Sequence, residues 1–257
     1  MSRTPVFLTP VMVGAAFLAA AKLAPRIGDA FWPTLGVVIA VLLIALAGML
    51  GFAVRMLDRE IMLRSLGAPL FLVLGAYGFL LLVETTRGRY ALTAGVMAAL
   101  ALYAEQLRIA QRLRRHSDFL AVEHLAHPLR LLGLFFLLDF LFGVNAFVPV
   151  PVAARAALAG LAAGLAATPV FGNVIGRKQA AATAAVFGLV VAELFSAFAL
   201  LPVSALASAA ALTLLFSGVL HLVRHPFTPE ETPRQARRSF ASAVLMTAAV
   251  LATARWI

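Results

Sequence analysis

HPLRLLGLFFLLDFLFGVNAFVPVP, residues 127–151, decides the class of fold. Between Arg130 and Pro149 its only charged residue is Asp139, close to the middle. A helix that crosses a bilayer needs about 20 apolar residues for a hydrocarbon core of ~30 Å, and this run meets that requirement. Bases lie on one side of it, at Arg114, Arg115 and Arg130, and a nearly uncharged, proline-marked turn lies on the other. Because basic connections stay cytoplasmic, the segment is read as running outward, with Pro149–Pro151 at its outer end.

Composition extends this reading to the whole chain. Of 257 residues, 63% are hydrophobic and only 12% charged, with a mean hydropathy of +0.98. Soluble domains carry about 25% charged residues, and a soluble core of this size could not hide the excess. The apolar runs are continuous and lack the alternation of barrel strands. The fold class is therefore all-α, a polytopic integral membrane helical bundle forming a single transmembrane domain over 1–257.

The net charge of +10 is carried almost wholly by arginine, with lysine only at 22 and 178. In a soluble protein that balance would point to nucleic acid. Here the bases cluster in short connections, where they set topology and contact anionic lipid at the cytoplasmic face; nucleic acid is not an expected partner. Cysteine is absent, which excludes disulfides, thiolate catalysis and cysteine-ligated metal.

Nine spans of about 20 residues are predicted: 5–24, 31–54, 66–83, 90–109, 128–148, 152–174, 179–201, 203–223 and 238–256. The first resembles a signal peptide, with one early base, an apolar stretch and then small residues, and is read as a retained span. With the N-terminus inside and all nine crossing, fifteen of the 21 bases fall on the cytoplasmic side. The longest connections, 110–127 and 224–237, share that side, and the C-terminus lies outside. The second half alternates in charge more cleanly than the first, so the spans 5–24 and 66–83 are the weakest. The expected location is the cytoplasmic (inner) membrane.

Small residues crowd the later spans. Gly160 and Gly164 form a GxxxG in GLAAG, a spacing that lets helix backbones approach closely where lipid offers no hydrophobic drive. It is read as internal packing ahead of a homo-oligomer interface. No repeat period marks duplicated halves.

Asp139 and Glu193 are the acids placed deepest. Counted from the turns at Pro149 and Pro202 they lie ten and nine residues in, roughly 15 and 13 Å at 1.5 Å per residue. A charge at the bilayer centre costs at least ~2.5–3.5 kcal/mol on insertion scales, so both acids are expected to face the bundle. They serve there either as structural hydrogen-bonding groups or as an ion or substrate site. Ser196 follows Glu193 by three residues, on a small and partly polar face. Arg155 sits about one turn inside the sixth span, to snorkel outward to headgroups or to reach Asp139 or Glu193 as an ion pair.

The stretch 103–131 carries His116, His124 and His127 near one helical face, with Asp118 and Glu123 close by. EHLAH matches neither HExxH nor HxxEH, so a basic helix lying on anionic lipid is expected there, with no bound metal. No glycine-rich phosphate loop and no GxSxG is present, and neither lysine is placed for a midplane Schiff base. No cofactor is expected.

Residues 190–224, VVAELFSAFALLPVSALASAAALTLLFSGVLHLVR, set a mid-span glutamate before a Leu-Pro hairpin and a span ending in a base. The order resembles uncharacterised multi-span membrane proteins of candidate-phyla bacteria, over roughly the second half of the chain. The resemblance implies a membrane fold and no assigned activity. Three function classes fit the residues. The first is a non-enzymatic integral membrane subunit or scaffold of a larger assembly. The second is a transporter or permeation component using the buried carboxylates, and the third an intramembrane enzyme on lipid-linked substrates.

Overall fold

The structure, a computed structural model, describes residues 4–23, 59–113, 116–172, 177–224 and 233–254. Eight α-helices occupy them: α1 (Thr4–Leu23), α2 (Arg59–Leu82), α3 (Thr86–Leu113), α4 (His116–Gly143), α5 (Val152–Gly172), α6 (Arg177–Phe198), α7 (Ala205–Arg224) and α8 (Pro233–Thr253). There is no strand among the described residues.

Four helical stretches are long and apolar enough to cross a membrane: Leu125–Ala146, Val152–Gly172, Gln179–Phe198 and Ala205–Val223. The chain is thus a helical membrane protein, and these four agree with the spans predicted over 128–223. Thr9–Ala19 and Gly67–Leu82 are shorter apolar helices, in the two spans that the charge pattern supported least. The predicted span 90–109 falls in α3 and the described part of 238–256 lies largely in α8, and the ends of these helices carry Arg108 and Arg112, and Arg234, Arg237 and Arg238. Those charged turns dilute the apolar runs. The predicted span 31–54 lies outside the described residues.

Helix ends follow the local chemistry. The Thr85 hydroxyl accepts a 3.2 Å hydrogen bond from the Gly88 amide at the start of α3, and the Ser204 hydroxyl accepts one of 3.3 Å from Ala207 at the start of α7. Each satisfies an amide that the first turn leaves without a helical partner. After α4 the chain tightens into a 3₁₀ turn, Val144–Ala146. Pro149 and Pro151 then stop any continuation. The Pro151 carbonyl accepts from the amides of Ala154 and Arg155 at 3.0 and 3.2 Å, which opens α5.

The chain divides into two compact units, Met1–Gly133 and Leu134–Ile257, with the boundary inside α4. In the first unit α1, α2 and α3 pack on one another. Fully buried Phe17 of α1 meets Tyr77 of α2 with ring centroids 6.1 Å apart. Gly133 on α4 receives the α2 backbone: a Cβ there would lie 2.6 Å from the Leu72 nitrogen.

In the second unit the most extensive contact is α5 on α6, followed by α7 on α8. Gly160 and Gly188 make the first contact possible. A Cβ on Gly160 would fall 2.5 Å from the Gly188 carbonyl oxygen, and a Cβ on Gly188 would fall 2.5 Å from the Gly160 carbonyl oxygen. A Cβ on Gly164 would likewise lie 3.0 Å from the Ala184 carbonyl oxygen. The GxxxG therefore packs within the chain. Phe187 of α6 meets Phe171 of α5 and Phe216 of α7 edge-on, at 5.8 and 5.6 Å. Between α7 and α8, Gly218 admits Ala243, and the Thr247 hydroxyl donates to the Ala211 carbonyl at 3.4 Å as well as to its own Ala243 at 2.8 Å.

Candidate functional site

All four residues singled out from the sequence lie in the second unit. Asp139 is 3% exposed, in the last turns of α4. Its Oδ1 is buried with no hydrogen-bond partner among the described residues. Asp139 thus lies inside, as expected, on a helix whose neighbouring positions are phenylalanine and leucine.

Arg155 is also buried, and it takes a third course beside the two expected of it. Its Nη1 donates to the carbonyls of Leu141 and Phe142, at 3.4 and 3.3 Å. These belong to the last turn of α4, where carbonyls have no helical partner and the helix dipole presents negative charge. The guanidinium therefore closes the end of the helix that carries Asp139. Among the described residues no ion pair joins Arg155 to either acid. Its Nε is buried and unpartnered.

Glu193 departs from expectation, since it is exposed. The phase of α6 explains why. Its packing face runs through Ala184, Phe187, Gly188, Val191, Phe195 and Phe198, all buried. Glu193 is two residues from both Val191 and Phe195, about 200° around the helix at 100° per residue, and so points away. It shares the outer face with Val186, Leu189 and Val190, exposed by 63%, 61% and 46%.

Each acid stands closer to the end of its helix than to the proline that marks the turn. α4 ends at Gly143 and α6 at Phe198, short of Pro149 and Pro202, because the intervening residues form 3₁₀ and turn structure. Glu193 is five residues from the end of its helix, roughly 7–8 Å.

Ser196 donates to its own helix, to the Ala192 carbonyl at 3.0 Å. Thr168 and Thr213 do the same toward Gly164 and Ala209, both at 2.8 Å. The structure thus joins Arg155 to the end of the Asp139 helix and leaves Glu193 and Ser196 apart from them. What links α4 to α6 is the stack of Phe142 on Phe195, with centroids 4.1 Å apart and planes at 15°.

A groove of about 440 Å³ runs along the α5–α6 crossing, floored by Gly160, Gly164 and Gly188 and rimmed by Leu161, Leu165 and Leu189. Thr168 is its one hydroxyl, already bonded to Gly164. The groove offers shape and alkyl contact rather than donors. Among the described residues no group of three or more His, Asp or Glu is placed to hold a metal ion. The side chains of His116, Asp118, Glu123 and His124 lie outside the described residues.

Two features here were within reach of the sequence. Gly188 is the one glycine in an otherwise Ala- and Val-rich helix, and an isolated glycine mid-helix marks a close backbone approach. The outer stripe of Val186, Leu189, Val190 and Glu193 has helical spacing, but spacing alone does not say which face of α6 is inward. Comparison with protein-family models, with curated proteins and with solved structures finds no match.

Proposed function

We propose that this chain is a non-enzymatic integral membrane subunit or scaffold, which acts by lateral contact of its helices with other membrane-embedded protein. The observation that carries the reading is the outer face of α6: a carboxyl group within an exposed stripe of Val186, Leu189 and Val190. Lipid tails offer that carboxyl no hydrogen bond, whereas a neighbouring helix can. The hydroxyls of Thr168, Ser196 and Thr213 are taken up by their own helices, and the groove that Thr168 lines is apolar. Both features suit a packing element better than a polar route or a reaction centre.

In this reading the chain crosses the inner membrane nine times, with the N-terminus in the cytoplasm, the C-terminus outside and basic connections against anionic lipid. Ser117→Cys and Thr232→Cys are expected to be labelled from the same side. Labelling from opposite sides would refute that topology. The assembly itself is tested by placing a photo-crosslinking residue at Leu189 and purifying in mild detergent. A stoichiometric protein adduct supports it, and adducts with lipid alone overturn it.

A second reading, a permeation component, draws on the buried, unpartnered Oδ1 of Asp139. A proton flux in reconstituted vesicles that is lost in a normally folded Asp139→Asn variant would favour it over the first.

A further inference from the structure

We infer that the groove along the α5–α6 crossing binds one anionic phospholipid, an acyl chain lying along its floor and the phosphate over the first turn of α6. The inference goes beyond the assembly reading above and does not depend on it.

Size decides the kind of occupant. The groove runs from Ala157 to Thr168 on α5 and from Ala181 to Ala192 on α6, a length of roughly 16 Å at 1.5 Å per residue. That is the depth of one leaflet, half of a hydrocarbon core of ~30 Å. A volume of about 440 Å³ spread over roughly 16 Å gives a mean cross-section of about 27 Å². A helix about 10 Å across needs about 80 Å² and could lay only side-chain tips there. An alkyl chain, whose carbons approach their neighbours to about 4 Å, needs roughly 15–20 Å² and fits along the whole length.

The lining agrees with the size. Leu161, Leu165 and Leu189 form exposed ridges over a glycine floor where the two backbones already touch. Thr168 gives its hydroxyl to its own helix, so a polar ligand finds no donor. Methylenes meet the floor and both ridges, whereas a smooth helix face would touch a passing lipid on one side only. That difference separates a held chain from the bulk bilayer.

Charge sets which lipid, and which way round. Lys178, Ala181, Ala185, Gly188 and Ala192 follow one another in steps of three and four, so the first turn of α6 continues the groove. It opens with Arg177 and Lys178 and contains no acid. Its amides have no helical partner and the dipole is positive there, the setting in which helix starts take up phosphate. Thr168 and Ala181, at this end of the groove, are four residues from Gly172 and Arg177, roughly 6 Å. That spacing leaves room for a glycerol between chain and phosphate. Toward the other end the nearby base is Arg155, which is buried and bonded to carbonyls of α4.

Native mass spectrometry of the full chain in a neutral detergent counts bound lipid directly. Dipalmitoyl phosphatidylglycerol should bind at one copy per chain. It should bind about thirtyfold tighter than the phosphatidylcholine with the same chains, because each of two bases favours an anionic lipid about fivefold. Arg177→Gln with Lys178→Gln should bring the two lipids level. Ala185→Phe fills the groove from an exposed position and should weaken both by about tenfold or more. Leu245→Phe on the exposed face of α8 should weaken neither. Short-chain phosphatidylglycerol should bind far more weakly, and inorganic phosphate should displace nothing, which separates a lipid from a free anion. On the wild-type protein, a carbene-bearing acyl chain should mark 157–168 and 181–192. Equal affinity for the two lipids would overturn the site. So would undiminished binding in Ala185→Phe with an unchanged unfolding midpoint, or carbene marks no denser in the groove than on α8. A photo-crosslinking residue at Leu161 that captures protein and no lipid would overturn it too, yet leave the assembly reading standing. Lipid-only adducts at Leu189 would end the assembly reading and leave this site in place.

Discussion

Replacing Gly160 by alanine tests the α5–α6 crossing at its closest point. The new Cβ would lie 2.5 Å from the Gly188 carbonyl oxygen and 2.9 Å from the Ala192 Cβ, whereas ordinary contact begins at 3.4 Å. Neither neighbour is the end of a flexible side chain, so relief must come from the helices parting by about 0.9 Å, the difference between 3.4 and 2.5 Å. A gap of 0.5–1 Å forfeits roughly a quarter to a half of each dispersion contact along the seam. Overpacking of this kind costs about 1–3 kcal/mol. Against it stands about 1 kcal/mol gained when alanine replaces glycine inside a helix. Gly160→Ala should therefore lose about 1 kcal/mol net. Gly95→Ala on α3 has open space around its Cβ and should gain about 1 kcal/mol from the same change in propensity. The measurement is the unfolding midpoint in mixed micelles on titration with a denaturing detergent, and the sign decides. Gly188→Ala should behave like Gly160→Ala, and the double variant should cost less than the sum, because the first substitution has already opened the seam for the second. A Gly160→Ala protein as stabilised as Gly95→Ala would refute the close crossing.

Other substitutions address the remaining contacts. Arg155→Met strands the Leu141 and Phe142 carbonyls and removes a hydrogen bond to a charged group, so it should cost about 1.5–3 kcal/mol in the same assay; an unchanged midpoint would refute the capping role. Phe195→Ala removes a fully buried ring and should cost about 3–5 kcal/mol. A double-mutant cycle with Phe142→Ala should return a coupling of about 0.5–1.5 kcal/mol for the stack, and zero coupling would show that the rings do not touch. Ser196→Ala deletes only a hydroxyl bonded to its own helix and should shift stability by less than about 0.5 kcal/mol. A larger loss would reveal a partner that the geometry lacks.

The physical class of the protein was legible in the sequence because bilayer crossing depends on summed transfer free energy, a property of runs rather than of contacts. The run around Asp139 and those over 152–172, 179–198 and 205–223 satisfy it on composition alone. The prolines at 149, 151 and 202 marked the turns, since ring geometry and the missing amide act locally. Even so, they located the turns and not the helix ends, which come earlier because 3₁₀ and turn residues intervene.

Contacts were decided only by the tertiary structure. The GxxxG of α5 signalled a close approach, but its partner, Gly188, lies on another helix, and spacing within one helix cannot name it. Arg155 had two plausible targets by depth, and the free carbonyls at the end of α4, invisible in one-letter code, supply a third. Asp139 and Glu193 look alike as lone acids in apolar runs. One is buried and the other exposed because each helix has a rotational phase set by which face packs, through Phe195 and Gly188 in α6. Phase costs no change in hydropathy to alter, so the sequence leaves it open until a neighbouring helix claims one side.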